Sequence, residues 1–211
     1  MMQIIEVEQG TPEWFAARAG IPTASEFSTV MAKGRDGGAS VTRRKYMLQL
    51  AGEILTGEAT PDGYTNPHME RGKVMEAEAR DLYAFMRDAE PVRVGFVRNG
   101  QKGASPDSLI GDNGGLEIKT ALPHIQIERL LKGDLPAEHK AQVQGSMWVA
   151  EREWWDFVSY WPKLPPLIVR VYRDEEYIAG LAKAVDAFNE ELEATVQAIR
   201  TYEDFKRQAA A

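Results

Sequence analysis

Ser105-Pro106-Asp107-Ser108-Leu109-Ile110-Gly111-Asp112-Asn113-Gly114-Gly115-Leu116-Glu117-Ile118-Lys119 is the stretch that decides the fold of this chain. Asn113-Gly114-Gly115 predicts a tight hairpin turn between two short strands. In the second strand the side-chain period of two points Leu116 and Ile118 one way. Glu117 and Lys119 point the other way. The hairpin brings Asp107 beside Glu117, so two carboxylates and an ammonium share one surface. Hard oxygen ligands of that kind suit a divalent cation and the water it activates. Ser105-Pro106 restricts the backbone at the start of the first strand.

Outward from this hairpin the chain reads as helices, strands, helices, strands and a last helix. Thr11-Pro12 opens a short helix carrying Trp14 and Arg18. Thr23-Ala24-Ser25-Glu26 fits a capping box for a second helix. Residues 33–40, rich in glycine, read as a mobile loop. A helix over 42–56 ends at Gly57, and Asn66-Pro67 opens another to 87, with Met75, Ala79, Leu82 and Met86 at helical spacing. Strands are expected at 91–98, 106–111 and 115–120, and helices at 123–132 and 137–150. Strands at 153–160 and 167–172 follow, then a helix over 174–205, apolar at Ile178, Leu181, Val185, Phe188 and Leu192. This order predicts an α/β or α+β fold, a mixed central sheet flanked by helices, as one domain over 1–211.

The totals narrow the function. The 211 residues are 44% hydrophobic, enough for a large core, with no apolar run long enough to span a membrane. The first residues lack a basic, then apolar, leader pattern, which argues against a secretory signal. Cysteine is absent, which excludes disulfides, thiol catalysis and thiolate-held zinc or iron–sulfur clusters. A formal charge of −7 counts against a strongly basic nucleic-acid binder, although local potential and bound metal ions can override the total. Lys33, Arg35, Arg43, Arg44 and Lys45 read equally as a solvated surface and as a grip on a DNA backbone.

Further candidates surround the hairpin. Glu76 lies mid-helix, where a solvated face is the plain reading. Arg18 and Ser25 suit a phosphate, and equally a capped turn with a surface ion pair. Gln142 and Gln144 ride on a helix after the strands. His68, His124 and His139 lack close metal-ligand spacing. Trp148, Trp154, Trp155 and Trp161 read as packing residues. Neither a P-loop nor a dinucleotide glycine pattern is present.

Six stretches occur in one order: Gly10-Thr-Pro-Glu-Trp14-Phe-Ala-Ala-Arg18-Ala-Gly20, Thr23-Ala-Ser25-Glu26, Arg71-Gly72-Lys-Val-Met-Glu76, Ser105-Pro-Asp107, Leu116-Glu117-Ile-Lys119 and Ala141-Gln142-Val-Gln144-Gly-Ser-Met-Trp148. Together they resemble the lambda-type phage exonucleases, the YqaJ-like viral recombinases with a restriction-endonuclease-like nuclease core. Ser108 stands where that family often has glycine, and Thr120-Ala-Leu-Pro123 is longer than its pattern.

The resemblance implies a Mg²⁺-dependent exonuclease that digests the 5′-ended strand of duplex DNA and leaves 3′ single strands for recombination. Asp107, Glu117 and the Ile118 carbonyl would hold Mg²⁺, with Glu76 helping a second ion and Mn²⁺ able to substitute. Lys119 would orient the attacking water and stabilise charge, and Gln144 would hold Lys119 or water. Gln142 lies two residues away, rotated off that helical face. Arg18, Ser25 and Ser105 would receive the terminal 5′ phosphate. A homotrimeric ring around DNA, a single-strand annealing partner and a phage or prophage gene acting in the bacterial cytoplasm are implied as well. Two alternatives stay open: a related metal-dependent endonuclease, and a catalytically idle DNA-binding module.

Overall fold

The structure, a computed structural model, describes residues 1–35, 37–60 and 67–202, without the side chains of 67–71 and 73. Strand β1 (Met2–Ile5) leads into α1 (Pro12–Arg18), a 3-10 turn (Ala24–Glu26), α2 (Phe27–Met31), α3 (Val41–Thr56) and α4 (Pro67–Arg87). Next come β2 (Pro91–Val92), β3 (Phe96–Asn99), β4 (Gly103–Ala104), β5 (Ser108–Ile110) and β6 (Gly114–Thr120). Helix α5 (Pro123–Lys132), α6 (Lys140–Ala150), β7 (Trp154–Tyr160), β8 (Leu167–Tyr172) and α7 (Glu175–Arg200) complete the order. The predicted opener Asn66 and the predicted helix end at 203–205 lie outside the described residues, as do Asp36 and the side chains of His68 and Arg71.

The strands form two sheets. One is antiparallel, ordered β1-β3-β4; the other is mixed, ordered β2-β5-β6-β7-β8. Only β6 and β7 run parallel there, with Glu117 opposite Phe157 and Lys119 opposite Ser159. The expected α/β fold with a mixed central sheet is therefore present. The expected strand over 91–98 is two strands in different sheets, and β1 and β4 were not foreseen. Short strands at sheet edges carry too few alternating residues to announce themselves.

The central hairpin turns two residues earlier than the sequence predicted. Gly111-Asp112-Asn113 make the turn, with Gly111 at φ +51°, while Gly114 and Gly115 already pair within the sheet. These glycines serve clearance instead. A Cβ on Gly114 would lie 2.2 Å from the Trp154 ring, and one on Gly115 would lie 2.2 Å from the Trp155 ring. Both tryptophans occupy the paired positions on β7.

Helices cover both faces of the mixed sheet. On one side α4 packs Met75, Ala79 and Tyr83 against Leu116, Ile118, Val158 and Tyr160. The predicted stripe thus runs to Tyr83, and Met86 is 52% exposed. On the other side α2, α3, α6 and α7 enclose Leu109, Trp155 and Phe157. Every apolar position expected on the last helix is buried there. The Ser40 and Asp174 side chains accept N–H bonds at the starts of α3 and α7.

Thr23 makes no side-chain cap; its hydroxyl pairs with Ser25 Oγ at 3.2 Å, and a 3-10 turn leads into the expected second helix, α2. A Lys33–Ala39 bridge joins the ends of the segment read as a mobile loop. Arg43 is not a DNA-grip residue: it is buried, donates to the Val30 carbonyl and forks onto Glu191 at 2.6 and 2.9 Å. Arg44 and Lys45 remain exposed.

Candidate active site

Asp107 ends the loop that feeds β5, one step beyond the last paired residue, Ser108 opposite Leu116. Its Oδ2 accepts the Ile118 N–H at 2.5 Å, so the carboxylate takes the bond that a longer strand would have made. Three neighbours anchor the loop: Trp14 Nε1 donates to Ser105 Oγ at 3.1 Å, Gln9 Nε2 to the Pro106 carbonyl at 2.9 Å and Ser108 Oγ to the Asp107 carbonyl at 2.6 Å.

Glu117 stands mid-strand in the centre of the sheet and is 2% exposed. One oxygen is well satisfied. Oε1 lies 2.6 Å from Lys119 Nζ and accepts from Gln142 Nε2 at 2.6 Å. Among the described residues, Oε2 is buried without a hydrogen-bond partner. Leaving such an oxygen bare costs about 1–3 kcal/mol, more when it is charged. The fold tolerates that cost beside a second carboxylate, an arrangement that a cation relieves.

The electrostatics agree. Burial pushes the Asp107 carboxyl well above the usual range, and the Glu117 and Glu76 carboxylates add to that rise. The Ile118 N–H and Lys119 oppose it. For Lys119, burial pulls the ammonium down, but Glu117, then Asp107 and Glu76, outweigh it and hold its pKa above the ordinary value. The lysine is therefore a proton-bearing donor and point charge in this state.

Glu76 reaches the same neighbourhood from α4. Its Oε1 is paired with Arg80, whose side chain is mostly buried. Arg80 also donates to Ser108 Oγ at 3.1 Å and approaches the Asp107 carbonyl at 3.5 Å. Sequence reasoning missed Arg80, although the four-residue spacing from Glu76 was a readable signal. Among the described residues no three His, Asp or Glu side chains form a ready ion cage, because Glu76 turns to Arg80 and Glu117 Oε1 to Lys119. The donors that fit a hard cation are Asp107, the bare Glu117 oxygen and a carbonyl of this strand.

Gln144 is not part of this cluster. Its amide donates to the Tyr172 carbonyl at 2.9 Å and accepts from the Asp174 N–H at 2.9 Å, tying β8 to the start of α7. Gln142 holds the position expected of Gln144. Two residues turn a helix by about 200°, so only one of the pair can face Glu117. Helix α6 is buried on nearly every side, and its sequence shows no polar face that could have chosen between them.

The expected phosphate residues sit on a separate seam. Arg18 stacks 4.0 Å over Trp14, and the same indole donates to Ser105 Oγ. A bridge between Thr23 and Gly103 lies two residues before Ser25 and Ser105 respectively. Ser25 is exposed and Ser105 partly buried. Arg18 lines a cavity of 380 Å³ together with Thr23, Glu26, Lys45, Tyr46 and Glu53. His139 is no ligand: it stacks on Phe157 and lies 3.0 Å from Arg129 Nη2.

Residues 13–153 match the YqaJ-like viral recombinase domain. Among solved structures the chain is similar to LHK-Exo, an alkaline exonuclease from Laribacter hongkongensis. Identity is 36% over 95% of this chain and 98% of that chain, with a TM-score of 0.79. LHK-Exo in complex with dAMP matches at 37% identity over 95% and 98% of the two chains, with a TM-score of 0.80. A phage related exonuclease from Haemophilus somnus 129PT is 15% identical over 85% of this chain and 96% of that chain, with a TM-score of 0.64; it shares the fold. No curated protein matches the chain. With that match covering most of its length, and the fold shared with these exonucleases, this chain belongs to the YqaJ-like viral recombinase domain family.

Proposed function

We propose that this chain is a Mg²⁺-dependent 5′-to-3′ exonuclease, one nuclease domain that degrades one strand of linear duplex DNA and leaves 3′ single-stranded tails for recombination. The observation that carries the reading is the bare, buried Oε2 of Glu117, a carboxylate whose other oxygen meets Lys119 and whose charge acts on Asp107. The family and the likeness to an exonuclease solved with dAMP support it, since a mononucleotide is what stepwise digestion releases.

In this reading Asp107, Glu117 and the Ile118 carbonyl hold Mg²⁺ or Mn²⁺, and Glu76 serves a second ion. Such ions, when bound, would supply charge stabilisation for an in-line displacement at phosphorus. Lys119 keeps its proton, orients the water and offsets the growing negative charge. Gln142 fixes the Glu117 carboxylate and thereby the Lys119 contact. Arg18, Ser25 and Ser105 receive the terminal 5′ phosphate, with Trp14 as the rigid floor. A homotrimeric ring would supply processivity despite the formal charge of −7. A single-strand annealing protein is the partner, and the bacterial cytoplasm the setting.

The test compares end-labelled linear duplex, with and without a 5′ phosphate, against closed circular duplex in Mg²⁺. Release of mononucleotides from the phosphorylated linear substrate alone is expected. Cutting of closed circles would make the chain an endonuclease, and no cleavage of any substrate would make it a binding module.

A further inference from the structure

Arg80 is placed where a metal-site arginine has consequences. It is 9% exposed and anchored at three points: Ser108 Oγ, the Glu76 carboxylate and the Asp107 carbonyl. A guanidinium never gives up its proton at working pH, so this is a permanent positive charge. It occupies Glu76 Oε1, the oxygen of the one carboxylate left to serve a second ion. Ser108 makes the placement rigid, because its hydroxyl takes the Arg80 Nε proton while donating to the Asp107 carbonyl.

Charge counting then limits what the site accepts. Asp107, Glu117 and Glu76 oppose Lys119 and Arg80, which leaves one net negative charge. A first divalent ion at Asp107 and Glu117 reverses that to one positive charge. A second ion alone would raise it to three inside a partly desolvated pocket, where like charges a few ångströms apart repel by several kcal/mol at an effective dielectric of about 20. A phosphate arriving with the DNA removes that obstacle.

We propose that Arg80 is the resident counter-charge of the second cation position, so that the DNA-free enzyme takes up one divalent ion and the second enters at Glu76 only with a DNA phosphate. This rests on the metal-dependent reading above and deepens it. Metal loading becomes a check on substrate: the pair of ions is completed only at a bound DNA end. Arg80 acts through Glu76 and is a positioning residue.

Calorimetric titration of Mn²⁺ into the full chain tests this, first without DNA and then with a 5′-phosphorylated duplex whose phosphorothioate linkages resist cleavage. Wild type is expected to bind one ion per chain alone and two with the duplex. Arg80→Lys keeps the charge and retains that pattern; Arg80→Gln removes it and binds two ions without DNA. Glu76→Gln, at a half-exposed side chain that tolerates change, binds one ion in both conditions and keeps the fold question separate. Two ions on DNA-free wild type, or loss of the first ion in Glu76→Gln, overturns the proposal. Absence of any bound ion, with or without DNA, removes the metal-dependent reading itself and this inference with it.

Discussion

Asp156 on β7 and Glu117 on β6 are buried carboxylates on neighbouring strands, 0% and 2% exposed, pointing to opposite faces of one sheet. Asp156 is saturated. Arg170 forks onto it at 2.8 Å through two nitrogens, and Tyr83 Oη donates at 2.6 Å. The tyrosine pays for this with a hydroxyl pushed up, first by burial and then by the carboxylate beside it. Glu117 has two donors on one oxygen and none on the other. Burial of a carboxylate is thus a poor guide to chemistry, since a fully partnered one is structural glue. The unpartnered oxygen makes Glu117 the candidate for ligand binding, since buried carboxylate oxygens in a packed fold ordinarily find a donor.

The comparison breaks most sharply at Glu117 itself. Glu117→Gln and Asp107→Asn are each expected to lower strand cleavage on the order of a thousandfold, by analogy with losing one charge-stabilising group. The melting temperature should change little, because each substitution keeps the side chain's shape while removing a buried carboxylate charge. A cleavage assay run beside thermal unfolding decides; near-normal cleavage would sink the assignment. Asp156→Ala is expected to do the reverse. Stability falls by about 3 kcal/mol in urea, the low end for a broken buried pair because Arg170 keeps some water contact. Cleavage per folded molecule stays within about twofold.

The two glutamines of α6 sharpen the same contrast. Gln142→Ala should cost on the order of tenfold in activity or metal affinity with little change in stability, as for other groups that orient a ligand. Gln144→Ala should cost about 1 kcal/mol of stability and leave activity alone, since it strips two partly buried backbone groups of their partner. Kinetics and unfolding on both variants would expose a reversed assignment.

The smallest effect concerns pH. Burial, with Lys119 and Arg129 nearby, pushes His139 down to about 4. Its unfolded value is about 6.5, so the unfolded chain binds the proton first as pH falls. Stability should therefore decline below pH 6.5, by about 1 kcal/mol at pH 5.5, and level off below about pH 4. His139→Asn should flatten that part of the stability curve; an identical slope in both proteins would count against a neutral, buried ring.

Much of the site was legible because it is local. Asp107, Glu117 and Lys119 belong to one hairpin, where a period of two and a short turn leave one way to face. The helix over Val41–Thr56 and the last helix were legible because caps and apolar spacing agree along many residues. Gln144 was misplaced because helical spacing gives relative angles on one element, and not which neighbour lies at each angle. Gly114 and Gly115 were read as a turn because glycine has two uses, and the tryptophans that need the space sit forty positions later.

The amino-acid order by itself determined the catalytic-looking face of the hairpin, the succession of helices and strands, and the family likeness, since each depends on neighbours in the chain. Only the tertiary structure decided that one Glu117 oxygen is bare, that Gln142 rather than Gln144 meets it, that Arg80 holds Glu76, and that Arg43 is spent on Glu191. These facts arise where distant segments close on one another, through the parallel pairing of β6 with β7 and the packing of α4 and α6 on its two faces. Which polar atom finds a partner in a packed interior depends on that closure, and no local pattern encodes it.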